Sequence, residues 1–178
     1  EGGRKILLTG VNYLRKYIND SNEMNEHYFK TIHHEFTHIL NQTKPFSTDF
    51  GQITGTDYVA DSWSEEPYNG KTRIGDLYEF DFTYAYSHGF ISDYAQMEDK
   101  EDFAEMMSIY ITHDQAFWDN ALKQAGESAE FITAKLDIVK NYMKDSWNID
   151  LDELRACVLR RMDDINAGKV DLTTIELN

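Results

Sequence analysis

The sequence has few of the residues that mark disulfide-stabilised or membrane-spanning proteins. It contains one cysteine, Cys157, and two prolines, Pro45 and Pro67, among 178 residues. A lone cysteine excludes an internal disulfide, and its position in an apolar helical pattern predicts a small core residue. No apolar stretch approaches the roughly 20 residues that a membrane-spanning helix needs. The sequence therefore predicts no transmembrane segment in this chain and a fold held together by a hydrophobic core.

Basic residues are also scarce, because 17 lysines and arginines stand against 32 aspartates and glutamates. The resulting formal net charge of −15 would repel the phosphates of a nucleic acid. It also disfavours adsorption to an anionic membrane, which requires a basic patch. We therefore expect no nucleic acid partner, whereas a basic peptide would be attracted.

Residues 34–38 read H-E-F-T-H and carry the strongest functional signal in the sequence. Positions i and i+4 of a helix share one face, so the imidazoles of His34 and His38 can reach one metal ion. The carboxylate of Glu35 between them can accept a proton from a metal-bound water. The pattern H-E-x-x-H is typical of zinc peptidases, although an ordinary amphipathic helix with two surface histidines would read the same.

The surroundings of the motif favour a helix, since residues 28–41 contain neither glycine nor proline. Their apolar side chains recur at helical spacing, which predicts a buried stripe that includes Phe36 and Leu40. His34 and His38 would lie beside this stripe. His33 would point about 100° away from His34, so we expect it outside the set of ligands.

A catalytic zinc site usually has three protein ligands, so the motif needs a partner elsewhere. A third histidine six residues after His38 is excluded, since that position is Lys44. Gly55-Thr56-Asp57 matches only half of the Gly-Thr-x-Asp pattern that would supply an aspartate. The better candidate is a second predicted helix, in which Glu101 and Glu105 lie one turn apart on one face.

In this arrangement Glu101 binds the metal, and Glu105 accepts the outward N–H of a ligand histidine and fixes its tautomer. Glu98 is the main rival for the third ligand position, because residues 98–102 also fit a looser E-x-x-x-D pattern. Two histidines and one glutamate suit zinc well.

The two motifs together resemble those of a known group of enzymes. H-E-F-T-H at residues 34–38 and E-D-F-A-E at residues 101–105 resemble the gluzincin pattern H-E-F-x-H … E-x-F-A-E, of which anthrax lethal factor has a related version. G-F-I-S-D-Y-A at residues 89–95 extends the likeness to the zinc-binding metallopeptidases found as bacterial surface lipoproteins. The resemblance covers roughly residues 4–112. It implies a zincin-like fold, one zinc ion and peptide hydrolysis, but no particular substrate.

The resemblance also implies roles for further residues and a location. Tyr94, seven residues before Glu101, would assist catalysis by donating a hydrogen bond to the oxyanion. His88 is close to Tyr94 in sequence and is an alternative donor, but a solvent-exposed loop histidine is the favoured interpretation. Glu35 would act as general base toward the zinc-bound water. The alternative function is a zinc-binding scaffold or interaction module without turnover. The implied location is extracytoplasmic, either periplasmic or anchored at the surface through a lipid upstream of this chain.

We predict that residues 1–178 form one α+β domain, mostly helical with a small sheet. Strands are expected at Arg4–Leu14 and within residues 75–86, where residues 77–82 alternate. One of these strands would lie beside the motif helix, as the edge to which a peptide substrate adds. Because little sheet fits before the motif, further strands are expected upstream. In the last third of the chain, the spacing of apolar residues predicts helices around residues 117–124, 131–143 and 151–165. Asp150 is expected to begin the last of these helices.

Overall fold

The computed structural model describes residues 25–55, 57–58, 71–74, 77–80 and 82–170. Helices dominate this part of the chain. A π-helical turn, Asn25–Phe29, leads into the first α-helix, and short 3-10 turns occupy Tyr94–Gln96 and Gly126–Ser128. The α-helices are α1 (Lys30–Thr43), α2 (Asp49–Gln52), α3 (Phe82–Ser87), α4 (Asp99–Thr112), α5 (Gln115–Ala125), α6 (Ala129–Trp147) and α7 (Leu151–Asn166).

The helices predicted for the last third of the chain are confirmed, and aspartate side chains open two of them. Asp114 accepts a hydrogen bond from a backbone N–H in the first turn of α5 at 2.9 Å. Asp150 accepts from the N–H groups of Asp152 and Glu153 at 3.0 and 3.2 Å. Such caps satisfy backbone donors that have no partner within the helix. The predicted core position of Cys157 is wrong, because this residue is exposed.

Helix α4 forms the centre of the described structure, since every residue from Asp102 to Thr112 is buried. Helices α1, α2, α6 and α7 all contact it. Phe103 of α4 stacks on Phe46 with 4.2 Å between ring centroids and meets Phe50 and Tyr142 edge-on at 5.1 and 5.2 Å. Aromatic side chains bury large apolar areas in defined geometries. This packing fixes the position of α4 and of its first turn.

The predicted α+β class is wrong for the described part of the chain. The only strands there are β1 (Lys71–Ile74) and β2 (Leu77–Phe80), which pair with each other as a two-stranded antiparallel hairpin. Two strands of four residues each are too few to form a layer of a fold. The described part of the chain is therefore helical apart from this hairpin.

The expected edge strand beside the motif helix is likewise not found among the described residues. The alternating pattern over residues 77–82 forms a strand only as far as Phe80, and the chain is helical from Phe82. The segment Arg4–Leu14 lies outside the described residues. None of the helices in the described part of the chain has both the length and the apolar character needed to cross a bilayer.

Candidate metal centre

Helix α1 carries both motif histidines, and their rings meet edge to face with 4.8 Å between centroids. His34 is buried and His38 is half-buried, with 3.1 Å between their Nε2 atoms. The buried residues of α1 are His34, Thr37 and Leu40. The predicted stripe through Phe36 is therefore wrong, because Phe36 is 45% exposed. His34 meets carboxylates of α4, whereas Leu40 joins the apolar core that includes Phe103.

The first turn of α4 brings Glu101 to the two histidines. Its Oε2 atom lies 2.9 Å from Nε2 of His34 and 3.4 Å from Nε2 of His38. Ligands bonded to a tetrahedral zinc ion at about 2.0–2.1 Å are about 3.3 Å apart, which is close to these distances. Two imidazoles and a carboxylate are also a donor set that zinc accepts in catalytic sites. The residues present therefore fit a zinc ion.

The rival ligands do not join this group. Among the described residues, the His, Cys, Asp and Glu side chains close enough to hold a metal ion together are His34, His38 and Glu101. Glu98 precedes α4 as its N-cap residue with an extended backbone. Neither Glu98 nor Asp57 belongs to the group. The geometry therefore favours Glu101 over both alternatives.

Glu105 lies behind His34, as the one-turn spacing from Glu101 predicts. Its Oε1 atom is 2.8 Å from Nδ1 of His34. An ionised carboxylate only accepts, so Nδ1 donates a hydrogen bond to Glu105, and Nε2 donates one to Glu101. The other oxygen of Glu105 accepts hydrogen bonds from Lys30 Nζ at 3.0 Å and Ser92 Oγ at 2.7 Å. Both oxygens of this buried carboxylate are thus used, which holds the imidazole in one orientation.

The electrostatics of the centre favour a positive charge between the two carboxylates. Burial opposes protonation of His34, but hydrogen bonds to Glu101 and Glu105 and their negative charges raise its pKa to about 9. Burial also opposes ionisation of Glu101, but hydrogen bonds with both histidines hold its pKa well below the usual range. The pKa of Glu105 is lowered to about 2, because Lys30 and His34 outweigh the effect of its burial. A divalent cation would take the place of the proton on His34 Nε2.

Tyr94 stands at the side of the histidine pair, on the 3-10 turn that precedes α4. Its ring centroid is 5.8 Å from that of His34. Burial, the charge of Glu101 and a hydrogen bond with Glu101 raise the pKa of Tyr94 to about 12, and the charge of Glu35 adds to this shift. The tyrosine is therefore a hydroxyl donor at neutral pH. His88 instead stacks on Tyr84 at 4.1 Å, with Nδ1 2.9 Å from the Tyr84 carbonyl oxygen.

A buried ion pair lies on the adjoining side of α4. Lys135 of α6 and Asp102 are fully buried, with 2.6 Å between Nζ and Oδ2. Tyr58 donates a hydrogen bond to the same oxygen at 2.7 Å. Lys135 also donates to the carbonyl of Gly89 at 3.0 Å, and its ammonium lies 4.0 Å from the ring centroid of Phe90. One ammonium group thus joins α6 to both α4 and the segment that leads to the catalytic tyrosine candidate.

Sequence reasoning did not identify Lys30, Ser92, Asp102 or Lys135 as parts of this arrangement. Lys30 could have been suspected, because it precedes His34 by four residues and therefore shares its helical face. Ser92 lies inside the G-F-I-S-D-Y-A segment, but nothing local indicates which side chain it bonds. The buried ion pair has no signal in the sequence, since charged residues in helices usually face water.

Comparisons with known proteins agree with this geometry. The family model described as "Putative zinc-binding metallo-peptidase" matches residues 1–152. The chain belongs to this family. The crystal structure of a protein with the same description from Bacteroides caccae superposes with a TM-score of 0.75 at 35% sequence identity. That match covers 89% of this chain and 55% of the other, so this chain spans little more than half the length of that relative. A comparison with curated proteins finds no match.

Proposed function

We propose that this chain is a zinc-dependent peptidase of the gluzincin type with one zinc ion held by His34, His38 and Glu101. The observation that carries the proposal is the convergence of these three donor atoms, all within 4.8 Å of one another. Zinc bound there would lower the pKa of a coordinated water and polarise the substrate carbonyl. The family description supports a metallopeptidase, and an extracytoplasmic, lipid-anchored location stays a prediction.

The remaining groups take the roles that peptide hydrolysis requires. The exposed carboxylate of Glu35, on the same helix as both histidines, would take the proton of the attacking water and pass it to the leaving amine. The hydroxyl of Tyr94 would donate a hydrogen bond to the developing oxyanion. Glu105 would keep His34 oriented through the 2.8 Å contact to Nδ1. A scaffold that only retained zinc would require neither Glu35 nor Tyr94.

Two linked measurements test the proposal. Elemental analysis of the wild type should give about one zinc per chain, with much less in Glu101→Ala and no loss in the neighbouring control Glu98→Ala. Cleavage of a peptide library should then be observed for the wild type and reduced by a factor of about 10² or more in Glu35→Gln, which should still bind zinc. Absence of zinc in the wild type would overturn the whole proposal. Bound zinc without any cleavage would favour the zinc-binding scaffold instead.

A further inference from the structure

A cavity of about 540 Å³ opens directly beside the candidate metal centre. It lies between the end of α1, the connection from α1 to α2, and the first turn of α4. His38 and Glu101 form one end of its wall, and the same two side chains belong to the metal-binding group. A peptide whose reacting carbonyl lies at the metal centre therefore has a neighbouring side chain within reach of this cavity. The volume falls within the range of about 300–1,000 Å³ typical of ligand pockets.

Phe46 and Pro45 supply an apolar part of the wall. The ring of Phe46 is held in place, because it stacks on Phe103 at 4.2 Å and 17° and meets Phe50 edge-on at 5.6 Å. Phe103 and Phe50 are themselves fully buried. The cavity thus has a rigid apolar surface against which an apolar side chain can be buried.

The rest of the wall carries no net charge that would select an ionised side chain. Asn41 and Gln42 contribute neutral amides, and Asp99 and Lys100 contribute one charge of each sign. Neither amide atom of Asn41 has a hydrogen-bond partner among the described residues. Since an amide both donates and accepts, it can pair with the main chain of a peptide, whose groups have the same two functions. A buried polar group without a partner is uncommon unless a ligand or water completes it.

We infer that this cavity binds the substrate side chain next to the scissile bond and selects one that is large, uncharged and apolar, such as Phe, Leu or Met. This inference rests on the proposed peptidase function. It assigns Phe46 as the residue that sets the preference for size and apolarity, and Gln42 as a neutral wall residue at which a charge would alter the preference.

Rates of cleavage of matched peptides test the selection. Two series of peptides are compared, one varied at the residue before the scissile bond and one at the residue after it. The varied residue is Phe, Leu, Gly, Asp or Lys. Zinc-loaded wild type should prefer Phe or Leu over Gly, Asp and Lys by at least tenfold in kcat/KM, because the ring or branched chain leaves water. Phe46→Ala should reduce this preference about tenfold. Phe117→Ala removes a half-buried ring that does not line the cavity and should leave the preference intact.

Gln42→Arg keeps the assay informative if Phe46→Ala does not fold, since Gln42 is exposed. The added positive charge should raise kcat/KM for the Asp peptide relative to the Lys peptide about tenfold. Equal cleavage of all peptides by the wild type, or the same loss in Phe46→Ala and Phe117→Ala, would overturn the inference.

A binding measurement separates failure of the inference from failure of the peptidase function. Two acylated amino acid hydroxamates, one of phenylalanine and one of glycine, are titrated into zinc-loaded protein by calorimetry. The phenylalanine compound should bind at least tenfold more tightly, and Phe46→Ala should remove most of the difference. Equal affinity for the two compounds would contradict the inference about the cavity and leave the proposed peptidase function standing. No affinity for either compound, or no zinc in the protein, would contradict both the proposed function and the inference.

Discussion

Glu105 and His34 are joined through Oε1 and Nδ1 at 2.8 Å, on the opposite side of the imidazole from Glu101. The two carboxylates thus address the two nitrogens of one ring. Glu105 keeps the proton on Nδ1 of His34, because an ionised carboxylate can only accept a hydrogen bond. Nε2 is therefore the atom offered to a metal ion.

Replacing Glu105 by glutamine should weaken zinc binding without removing a ligand. The variant keeps a side chain of the same shape but loses the charge that increases the basicity of His34. We expect the zinc dissociation constant to rise by a factor of about 10 to 100, measured by competition with a chromophoric chelator. Glu98→Gln is the matched control and should bind zinc as the wild type does. Unchanged affinity in Glu105→Gln would show that this carboxylate serves packing alone.

Tyr94→Phe should reduce turnover and leave substrate and zinc binding intact. The substitution removes only the hydroxyl, and the ring can keep its place 5.8 Å from the ring of His34. Loss of one oxyanion donor lowers kcat by a factor of about 10² to 10³. Steady-state kinetics should show this fall with little change in KM. Tyr84→Phe, outside the metal centre, should have no comparable effect, and a normal kcat in Tyr94→Phe would assign the oxyanion to another donor.

Lys135→Met should be among the most destabilising single substitutions in the chain. It leaves the fully buried carboxylate of Asp102 without its cation, which typically costs about 3–5 kcal/mol. Urea denaturation should show this loss in the free energy of unfolding. Lys140→Met, which breaks the exposed pair with Asp152 at 2.9 Å, should cost less than about 1 kcal/mol.

The double variant Lys135→Met with Asp102→Asn distinguishes loss of charge balance from loss of the hydrogen bond that Lys135 donates to Gly89. It should recover part of the lost stability, since the unpaired charge is gone. No recovery in the double variant would mean that the loss comes mainly from the missing hydrogen bond of Lys135 to the Gly89 carbonyl, and not from the unpaired carboxylate.

Removal of zinc should lower the melting temperature but leave the chain folded. The aromatic core around Phe50 and Phe103 does not include the metal ligands, so it persists in the zinc-free protein. Free zinc at about 1,000 times the dissociation constant should add about 4 kcal/mol to the free energy of unfolding. Thermal unfolding followed by circular dichroism, with chelator and with added zinc, measures the shift. Glu101→Gln should show little shift, and an equal shift in that variant would contradict its assignment as ligand.

The candidate site was largely predictable from the sequence because its members lie at fixed helical spacings. His34 and His38 are four residues apart on α1, and Glu101 and Glu105 are four residues apart on α4. Each pair therefore shares a face before any tertiary structure is known. The contacts of Lys30 and Ser92 with Glu105 depend on how three segments meet, which no local pattern records.

The class of the fold was not predictable for a related reason. Helix α4 is buried all round, yet it includes polar residues, namely Asp102, Glu105, Ser108 and Thr112. The spacing of apolar and polar residues predicted only one buried face for this helix, and no local pattern showed that other helices would cover the rest of it. The alternation over residues 77–82 fits a strand, but the backbone is helical from Phe82, so this pattern did not mark where the strand ends.

The ammonium group of Lys135 has a consequence for any attempt to define a minimal catalytic unit. Both recognisable motifs end before residue 106, so a shortened chain that stops soon afterwards would contain every proposed ligand and catalytic group. Such a fragment would lack Lys135, whose ammonium group neutralises Asp102 and donates a hydrogen bond to the carbonyl of Gly89. The tyrosine segment and α4 would keep the hydrogen bond from Ser92 to Glu105 but would lose their shared contact with Lys135. A shortened version of this chain would therefore require redesign of its interior around Asp102, in addition to removal of the C-terminal helices.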